Sequence, residues 1–96
     1  MQIMNRAMID GFLKANVPAR KPMERWIRIA QSGIWSDIVD MRKSIPSADA
    51  IKGTNFTCFN IGGNSYRLIV AISYRRQEMA IVELLTHAQY SKKYVR

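Results

Sequence analysis

The apolar positions of this chain follow a helical period in the first half and a strand period in the second. Met1 to Asn5 is a short apolar stretch that suits an edge strand. From Arg6 to Ala15 the residues Met8, Ile9, Phe12 and Leu13 fall at i, i+1, i+4 and i+5, one stripe of an amphipathic helix. Asn16-Val17-Pro18 ends it, because a residue before proline is pushed out of the helical region. Pro22 suits the first turn of a second helix, with Met23, Trp26, Ile27 and Ala30 as its buried face and Gly33 as its end. Beyond it, Ser36 is positioned to cap a short helix through Arg42, which Ile45-Pro46-Ser47 breaks. Asp49 to Thr54 reads as a loop carrying Lys52.

The second half alternates. Phe56 to Ile61 is rich in aromatic and β-branched residues and predicts a strand. Gly62-Gly63-Asn64 is a turn, and a two-residue Gly63-Asn64 loop suits a type II′ hairpin. Ser65 to Tyr74 is the next strand, with Tyr66, Leu68, Val70 and Ile72 on one face and Arg67, Ile69 and Ala71 on the other. Arg75 to Glu78 is a polar turn, Met79 to Leu85 a third strand, and Thr86 caps a short C-terminal helix carrying His87, Tyr90 and Tyr94. These elements predict an α+β fold in one domain, residues 1–96. Two N-terminal helices pack on one face of a small antiparallel sheet, and a short C-terminal helix follows.

Charge narrows the function. Fifteen Lys and Arg against seven Asp and Glu give a formal +8 over 96 residues, at the top of what a small domain carries for solubility alone. The complement is a polyanion: nucleic acid, an anionic membrane or an acidic protein segment. No apolar run approaches a membrane span, and Met1 to Arg6 carries neither a secretory apolar region nor a lipidation site. A cytoplasmic protein without membrane contact is expected. Cys58 is the sole cysteine, sits in an apolar strand and reads as a core filler in a reducing compartment.

One His and one Cys do not make a structural zinc site, and seven dispersed acids supply no cluster for magnesium. There is no phosphate-binding loop, no nucleophile elbow and no cofactor motif. What remains is chemistry on a phosphodiester that supplies its own nucleophile, the RNA 2′-hydroxyl. That needs a proton acceptor, cations for the charge on phosphorus, and an acid for the leaving oxygen. Lys52, Arg67, His87, Tyr90, Lys92, Lys93 and Tyr94 are residues of these types. Arg67, in mid-strand, is either a charge on an exposed sheet face or an anion site, and the hairpin register puts Asn60 opposite it, able to hold the guanidinium. His87 and Tyr90 at i, i+3 share a helical face, as a packed pair or as catalytic groups. Lys92 and Lys93 read as solvated charge or, with Arg96, as a track for a phosphate backbone. Trp26 and Trp35 read as core, and Arg25, Arg28, Arg42 and Lys43 as solvated helix faces.

Phe59-Asn60-Ile61-Gly62-Gly63-Asn64-Ser65-Tyr66-Arg67-Leu68-Ile69-Val70, followed by Thr86-His87-Ala88-Gln89-Tyr90, resembles the HigB toxins of bacterial type II toxin–antitoxin systems. Ile45-Pro46-Ser47-Ala48-Asp49 and Trp26 fit the same layout, so the resemblance spans essentially the whole chain. It implies a RelE-like fold of the microbial ribonuclease type and ribosome-dependent cleavage of mRNA in the decoding site, halting translation. It implies a HigA-type helix-turn-helix antitoxin as partner, with operator DNA engaged only through that antitoxin. By the same resemblance Arg67, His87 and Tyr90 occupy active-site positions; Lys52, Asn60, Lys92 and Lys93 are candidates for RNA contact by residue type and position alone. The chain departs from the pattern at Gln89, where the family usually has Glu, and at Ser91, where it often has Asp. A non-catalytic RNA-binding module, or a subunit whose positive face serves only an acidic protein partner, satisfies the charge equally well.

Overall fold

A computed structural model describes residues 1–94. The elements run β1 (Gln2–Met4), α1 (Ala7–Ala15), α2 (Arg20–Ser32), α3 (Ile38–Ser44), β2 (Asp49–Ala50), β3 (Phe56–Ile61), β4 (Tyr66–Ser73), β5 (Glu78–Thr86) and α4 (His87–Tyr94). The five strands make one sheet in the order β1-β5-β4-β3-β2. The expected antiparallel meander is β3-β4-β5, but the sheet is mixed, because β1 pairs with β5 in parallel. Asp49 and Ala50, expected in a loop, instead pair with Cys58 and Thr57 as a second edge strand. A two-residue strand is too short to leave a periodic signature.

The helical half matches its pattern with shifted ends. A 3₁₀ turn at Val17–Ala19, with Pro18 in it, leads directly into α2, so that helix begins two residues before Pro22. The short helix is capped by Asp37, not Ser36: the Asp37 carboxylate accepts from the Asp40 N–H at 2.8 Å. Ser36 binds the Asp40 carboxylate instead, through its backbone N–H at 3.0 Å. Gly33 ends α2 because Trp35 folds back over it, and a Cβ there would land on the indole ring.

Alternation along β4 divides the interior. Leu68 and Val70 face a large core with Ile9, Met23, Trp26, Met41, Phe59, Met79 and Ile81, roofed by α1, α2 and α3. Trp26 meets Phe59 edge-on, ring centroids 5.3 Å apart; each such buried side chain contributes roughly 1.5–3 kcal/mol. Cys58 and Ile69 point the other way, into a smaller cluster with Ile51 and Leu85 that Tyr90 and Tyr94 of α4 cover. The helices therefore lie on both faces of the sheet rather than one. A bulge in β5 accommodates this: Ile69 pairs with Glu83 and Val70 with Ile81, leaving Val82 as the extra residue. Val82 thereby joins the α4-side cluster, while Leu84 still reaches the main core.

Candidate active site

The hairpin register assembles the site. Ser65 N–H reaches Gly62 O at 3.3 Å, enclosing Gly63-Asn64 as a two-residue loop, and Gly62 and Gly63 take φ of +65° and +66°, the left-handed region that glycine enters at no steric cost. That loop places Asn60 directly opposite Arg67, as the spacing predicts. Asp49 stands directly opposite Cys58, two residues before Asn60 on the same strand. Side chains opposite one another, and two apart along a strand, leave the sheet on one face. Asp49, Cys58, Asn60 and Arg67 thus share the face that α4 covers.

Arg67 is 7% exposed, buried although Asp49 and Asn60 on the same face are exposed. Its guanidinium is not held by Asn60. Nη1 donates to Asn64 O at 3.2 Å and Tyr66 O at 3.1 Å, and Nη2 to Asn64 Oδ1 at 2.5 Å and His87 Nδ1 at 3.0 Å. These four bonds occupy both terminal nitrogens and leave Nε–H. Among the described residues no carboxylate lies within ion-pairing distance of Arg67. A buried cation without an anionic partner costs several kcal/mol, and that cost is recovered when an anion arrives. The Tyr90 ring lies beneath the guanidinium, 5.6 Å from centroid to Cζ, close enough for a cation–π contribution.

A cavity of about 490 Å³ opens against this group, lined by Arg42, Pro46, Ser47, Ala48, Asp49, Cys58, Asn60, Arg67 and Tyr90. Arg42, expected on a solvated helix face, turns into it: Nε donates to Ala48 O at 2.8 Å and Nη2 approaches Asp49 at 3.5 Å. Ser47 Oγ accepts from the Asn60 backbone N–H at 3.2 Å, pinning the α3–β2 segment to β3. Burial pushes the Tyr90 phenol above its ordinary value, with Cys58 and Asp49 adding to the rise and Arg67 opposing it. Burial likewise pushes the Cys58 thiol up, so both groups keep their protons at neutral pH. Among the described residues, no three His, Cys, Asp or Glu side chains converge as metal ligands.

Of the residues singled out from sequence, Arg67, Asn60 and Tyr90 line the cavity. His87 is exposed and joins through its bond to Arg67; its backbone N–H also reaches Ser65 O at 2.9 Å, tying α4 to the hairpin loop. Lys52 and Lys92 are exposed and outside the lining. Lys93 bonds Glu83 at 2.7 Å, and Arg96 lies outside the described residues. Arg42, Ser47, Asp49 and Cys58 enter the lining without having been singled out for it. For Cys58 a signal existed: it shares strand parity with Asn60, hence a face with Arg67. For Arg42 there was none, because the turn at Pro46 that folds it inward has no periodicity.

The departure at Gln89 has a definite place. Thr86 N–H donates to Gln89 Oε1 at 2.9 Å and Gln89 N–H to Thr86 Oγ1 at 3.2 Å, a reciprocal capping box that starts α4. Gln89 is exposed, does not line the cavity, and its cap needs only the carbonyl oxygen that Gln and Glu both possess.

No helix among the described residues is long and apolar enough to cross a membrane. Comparison with curated proteins gives no match. A family model does: the HigB toxin, described as the RelE-like toxic component of a toxin–antitoxin system, matches residues 19–93, from the start of α2 to the last turn of α4. The α+β architecture is consistent with a RelE-like toxin, and the chain belongs to the HigB toxin family.

Proposed function

We propose that this toxin is a ribosome-dependent mRNA endoribonuclease that halts translation by metal-independent attack of the RNA 2′-hydroxyl on the adjacent phosphate. The observation that carries the reading is the buried, unneutralised Arg67 guanidinium on the wall of a cavity with a second arginine and a proton-holding tyrosine. Arg67 supplies charge against the developing phosphorane, and Nε–H is its remaining donor. The Tyr90 hydroxyl, kept protonated by burial, serves as acid for the leaving 5′-oxygen. With Nδ1 of His87 accepting from Arg67, the neutral imidazole carries its proton on Nε2 and acts as a donor at the cavity rim. Lys52 and Lys92 add long-range attraction from outside the cavity, and Asn60 a polar contact within it. Lys93, committed to Glu83, adds less.

The ribosome supplies alignment. A chain with so few reactive groups has little to bend an RNA backbone in line, and orientation alone is worth several kcal/mol or more. The toxin acts in the cytoplasm, is silenced by a HigA-type helix-turn-helix antitoxin, and meets operator DNA only through that antitoxin. The test is inducible expression with mapping of new RNA ends on ribosome-associated mRNA. Cuts bearing free 5′-hydroxyls, growth arrest, and relief by the antitoxin encoded beside the toxin are expected. New 5′-phosphates, rapid cutting of naked RNA, or unaffected translation at high levels of folded protein contradict the reading.

A further inference from the structure

The mechanism above leaves the acceptor of the 2′-proton unassigned, and the cavity offers one carboxylate. Arg42 and Arg67 remain charged and have no lone pair to give. Tyr90 and Cys58 are held in their protonated forms by burial. His87 has the one lone pair of its neutral imidazole, on Nδ1, committed to Arg67 and its ring proton on Nε2, which leaves no free lone pair. Lys52 and Lys92 are outside the lining. Asp49 is different. Its side chain is 74% exposed, and among the described residues its only polar side-chain contact is Arg42 at 3.5 Å.

Asp49 on β2 and Arg67 on β4 flank β3, with side chains on the same face. Two strand spacings and a two-residue offset set their backbones about 12 Å apart, room for a phosphate against one and the neighbouring ribose against the other. An ion pair this exposed contributes little to stability, so the carboxylate is not explained as a structural tie.

Resting on the endoribonuclease reading, we propose that Asp49 is the general base. A carboxylate oxygen takes the 2′-hydroxyl proton as the 2′-oxygen bonds to phosphorus. The bond from phosphorus to the 5′-oxygen breaks with its electron pair leaving on that oxygen, which takes the Tyr90 proton. The products are a 2′,3′-cyclic phosphate and a 5′-hydroxyl. The proton on Asp49 returns to the tyrosinate through solvent, restoring both groups.

The test is single-turnover cleavage of mRNA on programmed ribosomes by the whole chain, comparing wild type with Asp49→Asn, Asp49→Glu and Asp49→Ala. The Asn variant is expected to cut about a hundredfold or more slowly while binding programmed ribosomes at least as tightly, because a negative charge facing RNA is gone. Added acetate is expected to restore cleavage by Asp49→Ala in proportion to its concentration, and Asp49→Glu to retain part of the activity. A purely structural role would produce neither acetate rescue nor a rate loss with binding intact. Cleavage by folded Asp49→Asn within about threefold of wild type overturns the proposal, as does a loss in all three variants that tracks ribosome binding and ignores acetate. If wild type itself leaves the mRNA intact, the endoribonuclease reading falls and this one with it.

Discussion

Arg67 Nη2 and His87 Nδ1 meet at 3.0 Å, joining the start of β4 to the start of α4 and fixing which imidazole nitrogen carries the proton. Replacing Arg67 therefore removes three things: charge against the phosphate, the tether on Asn64, and the orientation of His87. Arg67→Ala is expected to cut cleavage by on the order of a hundredfold or more, the usual loss for a transition-state donor. Arg67→Lys should rescue little, because one ammonium cannot reach the acceptors that a planar fork satisfies together. Removing a buried unpaired charge should leave thermal unfolding near normal. His87→Ala should be milder than Arg67→Ala. Cleavage rates and unfolding midpoints on the same preparations decide, and a toxic, fully active Arg67→Ala would remove Arg67 from the site.

Tyr90→Phe deletes one oxygen and keeps the ring beneath Arg67. If the phenol protonates the leaving oxygen, the rate should drop about a hundredfold or more with ribosome binding unchanged. Because the phenol's value is raised, first by burial and then by Cys58 and Asp49, its acid form persists beyond the ordinary tyrosine range. Wild-type cleavage should accordingly show no alkaline loss from this group near neutral pH. A Tyr90→Phe variant that cuts normally would leave Tyr90 only as a platform for the guanidinium.

The parts of this site that sequence reveals are those carried by regular spacing. Strand parity and the Gly63-Asn64 loop are enough to place Asn60 opposite Arg67, and the i, i+3 pair puts His87 and Tyr90 at the start of one helix. What periodicity does not encode is which irregular segment returns over the sheet. Pro46 to Asp49 brings Arg42 and Asp49 to the cavity through one side-chain–carbonyl bond and a two-residue strand, neither with a sequence period. Alternation alone likewise leaves open whether the Arg67 face meets water, because its cover, α4, packs through two tyrosines rather than an apolar stripe.

Gln89 in the capping box predicts that the departure from the family pattern at this position is inert. Gln89→Glu should leave cleavage unchanged within about threefold and alter stability by a few tenths of a kcal/mol, through the helix dipole. Thr86→Ala, which removes the cap, should destabilise by about 1 kcal/mol. Urea unfolding and cleavage assays on the two variants check this. A large gain in activity for Gln89→Glu would show that the side chain reaches the reacting groups.

The grip of α4 on the sheet should be pH-gated at both ends through Glu83 and Tyr94. Burial alone would raise the Glu83 carboxyl, but hydrogen bonds from Lys93 at 2.7 Å and Tyr94 at 2.8 Å, with the Lys93 charge, bring it below its ordinary value. Tyr94 is pushed up to about 12, by burial first and then by the Glu83 bond and charge. A depressed carboxyl stabilises the fold above its unfolded value and loses that stabilisation as pH falls through the folded one. A raised phenol is the reverse case: its contribution is complete below the unfolded value of 10.0 and is lost as pH climbs through about 12. The two together hold α4 most firmly from roughly pH 5 to pH 9. Lys93 is 55% exposed and Glu83 23%, so solvent screening limits the effect to on the order of 1 kcal/mol or less. Comparing the unfolding midpoint of wild type with Glu83→Gln and Tyr94→Phe across pH should give a gap that is flat over that window. The Glu83→Gln gap should close toward acid, and the Tyr94→Phe gap should close above pH 10 as the wild-type phenol ionises. Midpoints that differ by the same amount at every pH would show that neither titration is linked to folding, leaving α4 held by the packing of Tyr90 and Tyr94 alone.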